Sequence, residues 1–427
     1  MSALVQKVGC KLDLTEGQVY TAAIGLFVAL ATAIGGIPPT LVDRVRPAGV
    51  ARPLVDPTGS VAPATSAGPP APAPVSAPDG FSLPFDPAPT FPDGGSFGGG
   101  SFPGDGGNIG GGGGDFSPPR PPVGTVDTFA SVPAPGAPEG IAVGNDGRVF
   151  VATNNSGAKP VVMRFTGDGA LEASVTVEAI EAGFGVRGLA LPRATGGNVV
   201  YALAARPAAV FRVDVGLGTV ASYAGIPDVP PCIAVALAGP CELSPVDNAP
   251  EPRAAVFGAD GALYVADRGQ ALVWRVAPGG GEVRLAHQSP EFVSPDGLSG
   301  ITVDSTERLV VTVAQSVTDA GGGTVYRLGD AAPTKVASTA TGDRPVGIAG
   351  GRSGRLYVAL AGAGRVVVLD QAGAEQARYP GATDAPFDTP VGVAFRGEDL
   401  LVTEQAPTRP PAGRVVRIVV EDRGVLS

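Results

Sequence analysis

The residues best equipped for chemistry in this chain are a few scattered carboxylates and amides. Glu139 stands in Pro138-Glu139-Gly140 and Asp296 in Pro295-Asp296-Gly297, while Asn154 and Asn155 follow an apolar run. Hard oxygen donors of this kind suit calcium or another divalent cation. Glu139 and Asp296, joined by an asparagine, are therefore a candidate metal set. The competing reading pairs Glu139 with Arg187 and makes Asp296 the cap of a Pro-Asp-Gly turn. Nucleophile–base chemistry finds little to use. The single histidine, His287, falls after a late strand, so neither a Ser-His-Asp nor a Cys-His arrangement can be assembled around it. Gly321-Gly322-Gly323 precedes a strand, not the helix that a phosphate loop requires, and reads as a hairpin turn.

Positioning these residues falls to a pattern that recurs six times after residue 135. It starts at Glu139-Gly140-Ile141-Ala142-Val143, Arg187-Gly188-Leu189-Ala190-Leu191, Ala254-Ala255-Val256-Phe257, Ser299-Gly300-Ile301-Thr302-Val303, Val346-Gly347-Ile348-Ala349 and Val391-Gly392-Val393-Ala394-Phe395. Each start is followed by a second apolar run, such as Leu356-Tyr357-Val358-Ala359-Leu360, and then a third, such as Arg365–Leu369. Asn145-Asp146-Gly147 and Ala259-Asp260-Gly261 supply hairpin turns between first and second runs. A period near 45 to 48 residues with about four short strands per repeat predicts an all-β, six-bladed β-propeller over residues 123–427. The last repeat lacks a fourth strand, and Thr125–Val132 is an orphan strand before the first. Pairing the two would close the ring and remove an open edge.

In such a ring the first strands begin, and the second strands end, at one face. Glu139, Arg187, Ala254, Ser299, Val346 and Val391 should therefore converge on one mouth of the central channel, with the residues after the second strands around them. The polar members, Glu139, Asn154, Asn155, Arg187, Asp267, Arg268, Gln315 and Glu404, are the candidate ligand-binding residues, and Asp296 should enter at the same face. Trp274 reads as a packing residue between blades.

The third repeat, Glu251-Pro252-Arg253-Ala254-Ala255-Val256-Phe257-Gly258-Ala259-Asp260-Gly261-Ala262-Leu263-Tyr264-Val265-Ala266-Asp267-Arg268, followed by Val273-Trp274-Arg275-Val276, resembles an NHL repeat. The other repeats resemble the wider six-bladed group that holds NHL proteins and the SMP-30/gluconolactonase lactonases. The first part of that resemblance implies a binding platform, the second a metal-dependent hydrolase. Glu139 and Asp296 are similar to two of the lactonases' ligand positions, but no Asn-Gly-Leu motif supplies the third. Leu401-Val402-Thr403-Glu404 with Gly413–Ile418 also resembles quinone-dependent sugar dehydrogenases, whose channel base is usually a histidine.

Composition bounds the partners. The 427 residues carry a net charge of −10, which disfavours nucleic acid. No charged residue occurs from Gly17 to Val42. Residues 1–18 form a short N-terminal segment, and 19–40 are long enough for a transmembrane helix. Ala31-Thr32-Ala33 resembles a signal-peptidase site, but Asp13 and Glu16 dilute the n-region and favour an uncleaved anchor. Residues 41–122 are rich in Pro and Ala, then in Gly, and cannot bury enough apolar surface to fold. They read as a disordered linker. Cys232 and Cys241 share one insertion and fit a disulfide in an oxidising compartment. The expectation is a single-pass, extracytoplasmic binding module for a protein, glycan or small molecule. The alternatives are a lactonase-like hydrolase and an assembly hub.

Overall fold

The computed structural model describes residues 119–426 except 134–136, 155–156, 194–196, 230–245, 247, 317–321, 331 and 408–412. The expected anchor at 19–40, the linker up to 118, Asn155, and the Cys232–Cys241 pair lie outside the described residues. Among the described residues no helix is long and apolar enough to cross a membrane.

The described strands form six four-stranded antiparallel sheets. Blade 1 holds β2 (Pro138–Val143), β3 (Val149–Thr153), β4 (Val161–Phe165) and β5 (Leu171–Thr176). Blade 2 holds β6 (Val186–Ala190), β7 (Val199–Ala205), β8 (Ala208–Asp214) and β9 (Thr219–Gly225). Blade 3 holds β10 (Pro252–Phe257), β11 (Leu263–Asp267), β12 (Leu272–Val276) and β13 (Val283–Gln288). Blade 4 holds β14 (Leu298–Val303), β15 (Leu309–Val313), β16 (Gly322–Arg327) and β17 (Thr334–Thr341). Blade 5 holds β18 (Pro345–Gly350), β19 (Leu356–Leu360), β20 (Arg365–Leu369) and β21 (Glu375–Tyr379). Blade 6 holds β22 (Pro390–Arg396), β23 (Asp399–Glu404) and β24 (Arg414–Val419), completed by β1 (Val126–Ser131). The orphan strand thus closes the ring as expected. Val126 pairs with Ile418 and Ser131 with Arg414, and Arg417 Nε donates to Asp127 Oδ1 at 2.9 Å.

Burial explains the strand composition. Every residue of β3, β15 and β19 is buried, because these strands meet a neighbouring blade on both faces. That is why they read as nearly continuous apolar runs, interrupted only by the buried Thr153 and Thr312. The outermost strands β5 and β17 are mostly exposed and carry Glu172, Lys335 and several threonines and serines. The core is divided into six clusters, each between two adjacent blades. Phe150 with Phe211 joins blades 1 and 2, and Leu203 with Trp274 joins blades 2 and 3. Met163 with Leu401 and Val415 seals blade 6 to blade 1. Each fully buried apolar side chain contributes about 1.5–3 kcal/mol, so the ring is held by interfaces that have no sequence-local partner.

Close packing of the inner strands depends on the repeated glycine. A β-carbon on Gly300 would stand 2.1 Å from the Val346 carbonyl oxygen, and one on Gly392 would stand 2.7 Å from that of Glu139. Thr403 Oγ1 ties the same joint, donating to the Glu139 carbonyl at 2.9 Å and accepting from the Gly392 N–H at 2.8 Å.

Candidate functional site

The register of the inner strands fixes the mouth. Pro138 pairs with Thr153, Pro252 with Asp267, Leu298 with Val313, Pro345 with Leu360 and Pro390 with Glu404. In all six blades the pairing slips just after this first position. Such a slip re-aims the next side chain. The residues there are Glu139, Arg187, Arg253, Ser299, Val346 and Val391, and all line the central cavity of about 170 Å³.

Blade 3 differs from the sequence reading by one residue. Arg253, not Ala254, occupies the mouth position. The repeat was aligned on Ala254-Ala255, where blade 3 lacks the glycine that marks the other five blades. The usable signal was Pro252, which matches Pro138, Pro345 and Pro390 at the strand start.

Arg253 changes the electrostatics of the site. Glu139 is almost fully buried, with 3% of its side chain exposed. Its Oε2 accepts from Arg187 Nη1 at 3.3 Å, and its Oε1 forms an ion pair with Arg253 Nη1. The arginine side chains keep 22% and 16% exposure. Among the described residues the three are the only charged ones lining the cavity, and they come from consecutive blades. Arg187 Nε is buried with no hydrogen-bond partner among the described residues. Ser299 is buried, its hydroxyl directed to the Gly297 carbonyl at 3.3 Å.

The arrangement does not suit the divalent cation that the lactonase resemblance implies. Glu139 already neutralises two guanidiniums, and a cation at its oxygens would meet both. Asp296 has its own partners, Arg268 Nη2 at 3.2 Å and Arg344 Nε at 3.3 Å. Among the described residues no group of three or more His, Cys, Asp or Glu side chains could hold a metal ion.

The remaining expected residues divide by how their polar atoms are used. Asp267 is fully buried and accepts from the Glu251 N–H at 2.8 Å, the Gln270 N–H at 3.2 Å and the Trp274 indole at 3.0 Å. Burial pushes its carboxyl above the usual range, against those bonds. Trp274 therefore both packs between blades and caps Asp267. Arg268 joins Glu251 to Asp296 on the rim. The Gln315 carbonyl accepts from the Ser294 hydroxyl. Buried Glu404 accepts from the Asp388 N–H at 2.6 Å and pairs with Arg414 Nε at 2.5 Å. Asn154 packs against the Gly185 backbone. Of the expected set, Glu139 and Arg187 line the cavity, whereas Asn154, Asp267, Arg268, Gln315 and Glu404 are not among its lining residues. His287 lies on the outermost strand β13 opposite Val273, and burial lowers its pKa.

No family model matches the sequence, and no curated protein matches it. Solved structures do share the fold. The PQQ-bound aldose sugar dehydrogenase of Streptomyces coelicolor is similar with a TM-score of 0.50 at 16% identity, covering 71% of this chain and 100% of that one. Virginiamycin B lyase from Staphylococcus aureus is similar at TM-score 0.49 and 15% identity, over 69% of this chain and 99% of that one. The calcium-binding protein regucalcin of Agrobacterium tumefaciens follows at 0.47 and 16%, over 67% and 91%. At such identities the likeness is one of fold alone.

Proposed function

We propose that this chain is a binding module, an extracytoplasmic propeller held at a membrane by residues 19–40, with its ligand received at the Glu139–Arg187–Arg253 mouth. The observation that carries the reading is the surplus of hydrogen-bond donors there. A buried carboxylate holds two guanidiniums in place, and Arg187 retains a buried N–H with no partner among the described residues. The two guanidiniums keep 22% and 16% of their side chains exposed, and that exposed part is what an acceptor on a ligand would meet. The same charges disfavour metal-assisted hydrolysis, since the one carboxylate in the lining already serves two cations. The cavity supports a small molecule, or one side chain of a larger protein or glycan partner, as the group that enters.

Thermal unfolding of the purified full chain tests this. Benzoate, maltose and calcium would each be added to the native chain and to Ser299→Trp, which fills the mouth. At least one organic probe should raise Tm in the native chain and not in Ser299→Trp. Stabilisation by calcium alone, lost in Glu139→Ala and accompanied by cleavage of an ester or lactone, would instead establish the hydrolase. The anchor has its own check. Externally added protease should degrade the propeller on intact cells, and deletion of 19–40 should release it from membranes.

A further inference from the structure

We infer that the ligand is a small organic monocarboxylate, gripped by Arg187 with its apolar body toward Val346 and Val391. This rests on the mouth being the binding site.

Charge gives the first argument. One carboxylate against two guanidiniums leaves the lining with one excess positive charge. A monoanion brings the mouth to neutrality; a neutral molecule leaves the excess, and a dianion overshoots it. The deficit matters because buried charges are screened far less than exposed ones.

Donor geometry gives the second. A guanidinium carries five N–H donors in a fixed fork. Glu139 takes Arg187 on Nη1 and Nε is shut off from solvent, so a ligand meets the part of the guanidinium that keeps the side chain 22% exposed. An exposed guanidinium N–H gives a carboxylate oxygen a charge-assisted bond, roughly twice as strong as one between neutral groups. Arg253 is the less exposed of the two arginines and holds the other oxygen of Glu139. It acts with Glu139 as a positioning residue, fixing the plane of the group that contacts the ligand.

The opposite wall gives the third. In the ring order, blade 2 stands across from blade 5 and blade 3 across from blade 6. Arg187 therefore faces the strand of Val346, and Arg253 that of Val391. Both valines line the cavity and are buried in one apolar cluster. A ligand reaching from the arginine to this wall needs a charged end and an apolar end. The cavity of about 170 Å³ runs from Glu139 to Gly424 and Leu426, far more than the ~10–15 Å³ that one water needs, and admits a small acid.

Calorimetric titration of the purified full chain with benzoate, benzyl alcohol, benzylamine and phthalate tests the inference. Benzoate should bind, benzyl alcohol and phthalate at least tenfold more weakly, and benzylamine without detectable heat. Arg187→Ala should weaken benzoate at least tenfold, and Arg187→Lys should retain only part of the affinity. The lysine variant serves if the alanine variant misfolds. Equal affinity for benzyl alcohol, full benzoate affinity in Arg187→Ala, or no benzoate binding to the native chain would each overturn the monocarboxylate. If a probe still binds and Ser299→Trp blocks it, the mouth survives as a site for a different ligand. If Ser299→Trp blocks none of the probes that bind, the mouth falls with it.

Discussion

The Glu139 mouth and the Asp422 contact at the far end of the central channel use their polar groups in opposite ways. At the Glu139 end, one carboxylate is shared between two arginines and a buried Arg187 donor has no partner among the described residues. At the far end, Asp422 accepts from the Ser353 N–H at 3.1 Å, the Arg423 N–H at 2.8 Å, the Ser353 hydroxyl and the Tyr357 hydroxyl at 3.2 Å. The segment that carries it docks on blade 5. The Val425 N–H donates to the Gly350 carbonyl at 2.9 Å, and Arg352 Nε donates to that of Gly424 at 3.0 Å. Burial, then the Asp422 charge, hold the Tyr357 hydroxyl well above its ordinary pKa. Polar groups that satisfy one another inside the chain act as structure. A mouth with donors left over keeps that capacity for a ligand.

The largest effect should come from breaking the saturated end. Asp422→Ala leaves the buried Tyr357 hydroxyl without its acceptor and frees the docked segment. A loss of about 2–4 kcal/mol in urea unfolding is expected, with benzoate affinity unchanged. A loss of affinity equal to that of Arg187→Ala would mean that the two ends are not separable.

Next in size is the unsaturated end. Glu139→Gln keeps the shape but leaves two guanidiniums on one neutral amide, at a cost of about 1–3 kcal/mol. This is less than for a fully buried pair, because both arginines remain partly exposed. Affinity for benzoate should rise several-fold, since the excess positive charge doubles. A fall would show that Glu139's own charge is needed to hold Arg187 in its binding geometry.

A smaller, pH-dependent effect belongs to Asp304, in the β14–β15 turn. Burial alone would raise its pKa, but bonds from Thr306, the Arg308 N–H and Arg327 Nε win and hold the carboxyl below the usual range. A depressed folded pKa stabilises above the unfolded value, about 3.9, and that stability is lost as pH falls through the folded value. Unfolding free energy should therefore drop below about pH 4, and Asp304→Asn should flatten that slope.

The blades and the mouth were legible in the sequence, the far end was not, and the difference has a physical reason. The blades and their closure could be read because β3, β15 and β19 are buried on both faces, and burial writes itself as nearly continuous apolar runs. Glu139 and Arg187 could be placed because five glycines mark the joint. Arg253 was missed because Ala254 breaks that mark. Asp267 and Glu404 stand at the mouth register but are not among the lining residues, for a different reason. A carboxylate at a strand end can point into the channel or back to turn N–H groups, and residue type does not distinguish the two. The balance of partners, which separates site from scaffold, depends on neighbours from other blades.

The smallest expected effect is the most exacting test of the far end as pure scaffold. Glu307 has φ of 64° at the inner hairpin turn of blade 4, where blades 1, 3 and 5 place Gly147, Gly261 and Gly354 at 79°, 74° and 88°. A non-glycine residue there costs about 1 kcal/mol or more. Glu307 also forms an ion pair with Arg193, which reaches from blade 2 and donates through Nε to the Phe257 carbonyl at 3.2 Å. With the Glu307 side chain 45% exposed, such a pair contributes only about 0–1 kcal/mol. Glu307→Gly removes strain and pair together, so stability in urea unfolding should stay the same or rise by up to about 1 kcal/mol. A loss above about 1.5 kcal/mol would mean that the Arg193–Glu307 bridge ties blade 2 to blade 4 more strongly than an exposed pair can. Charge would then be under tension at both ends of the channel, and surplus donors alone would no longer single out the Glu139 mouth.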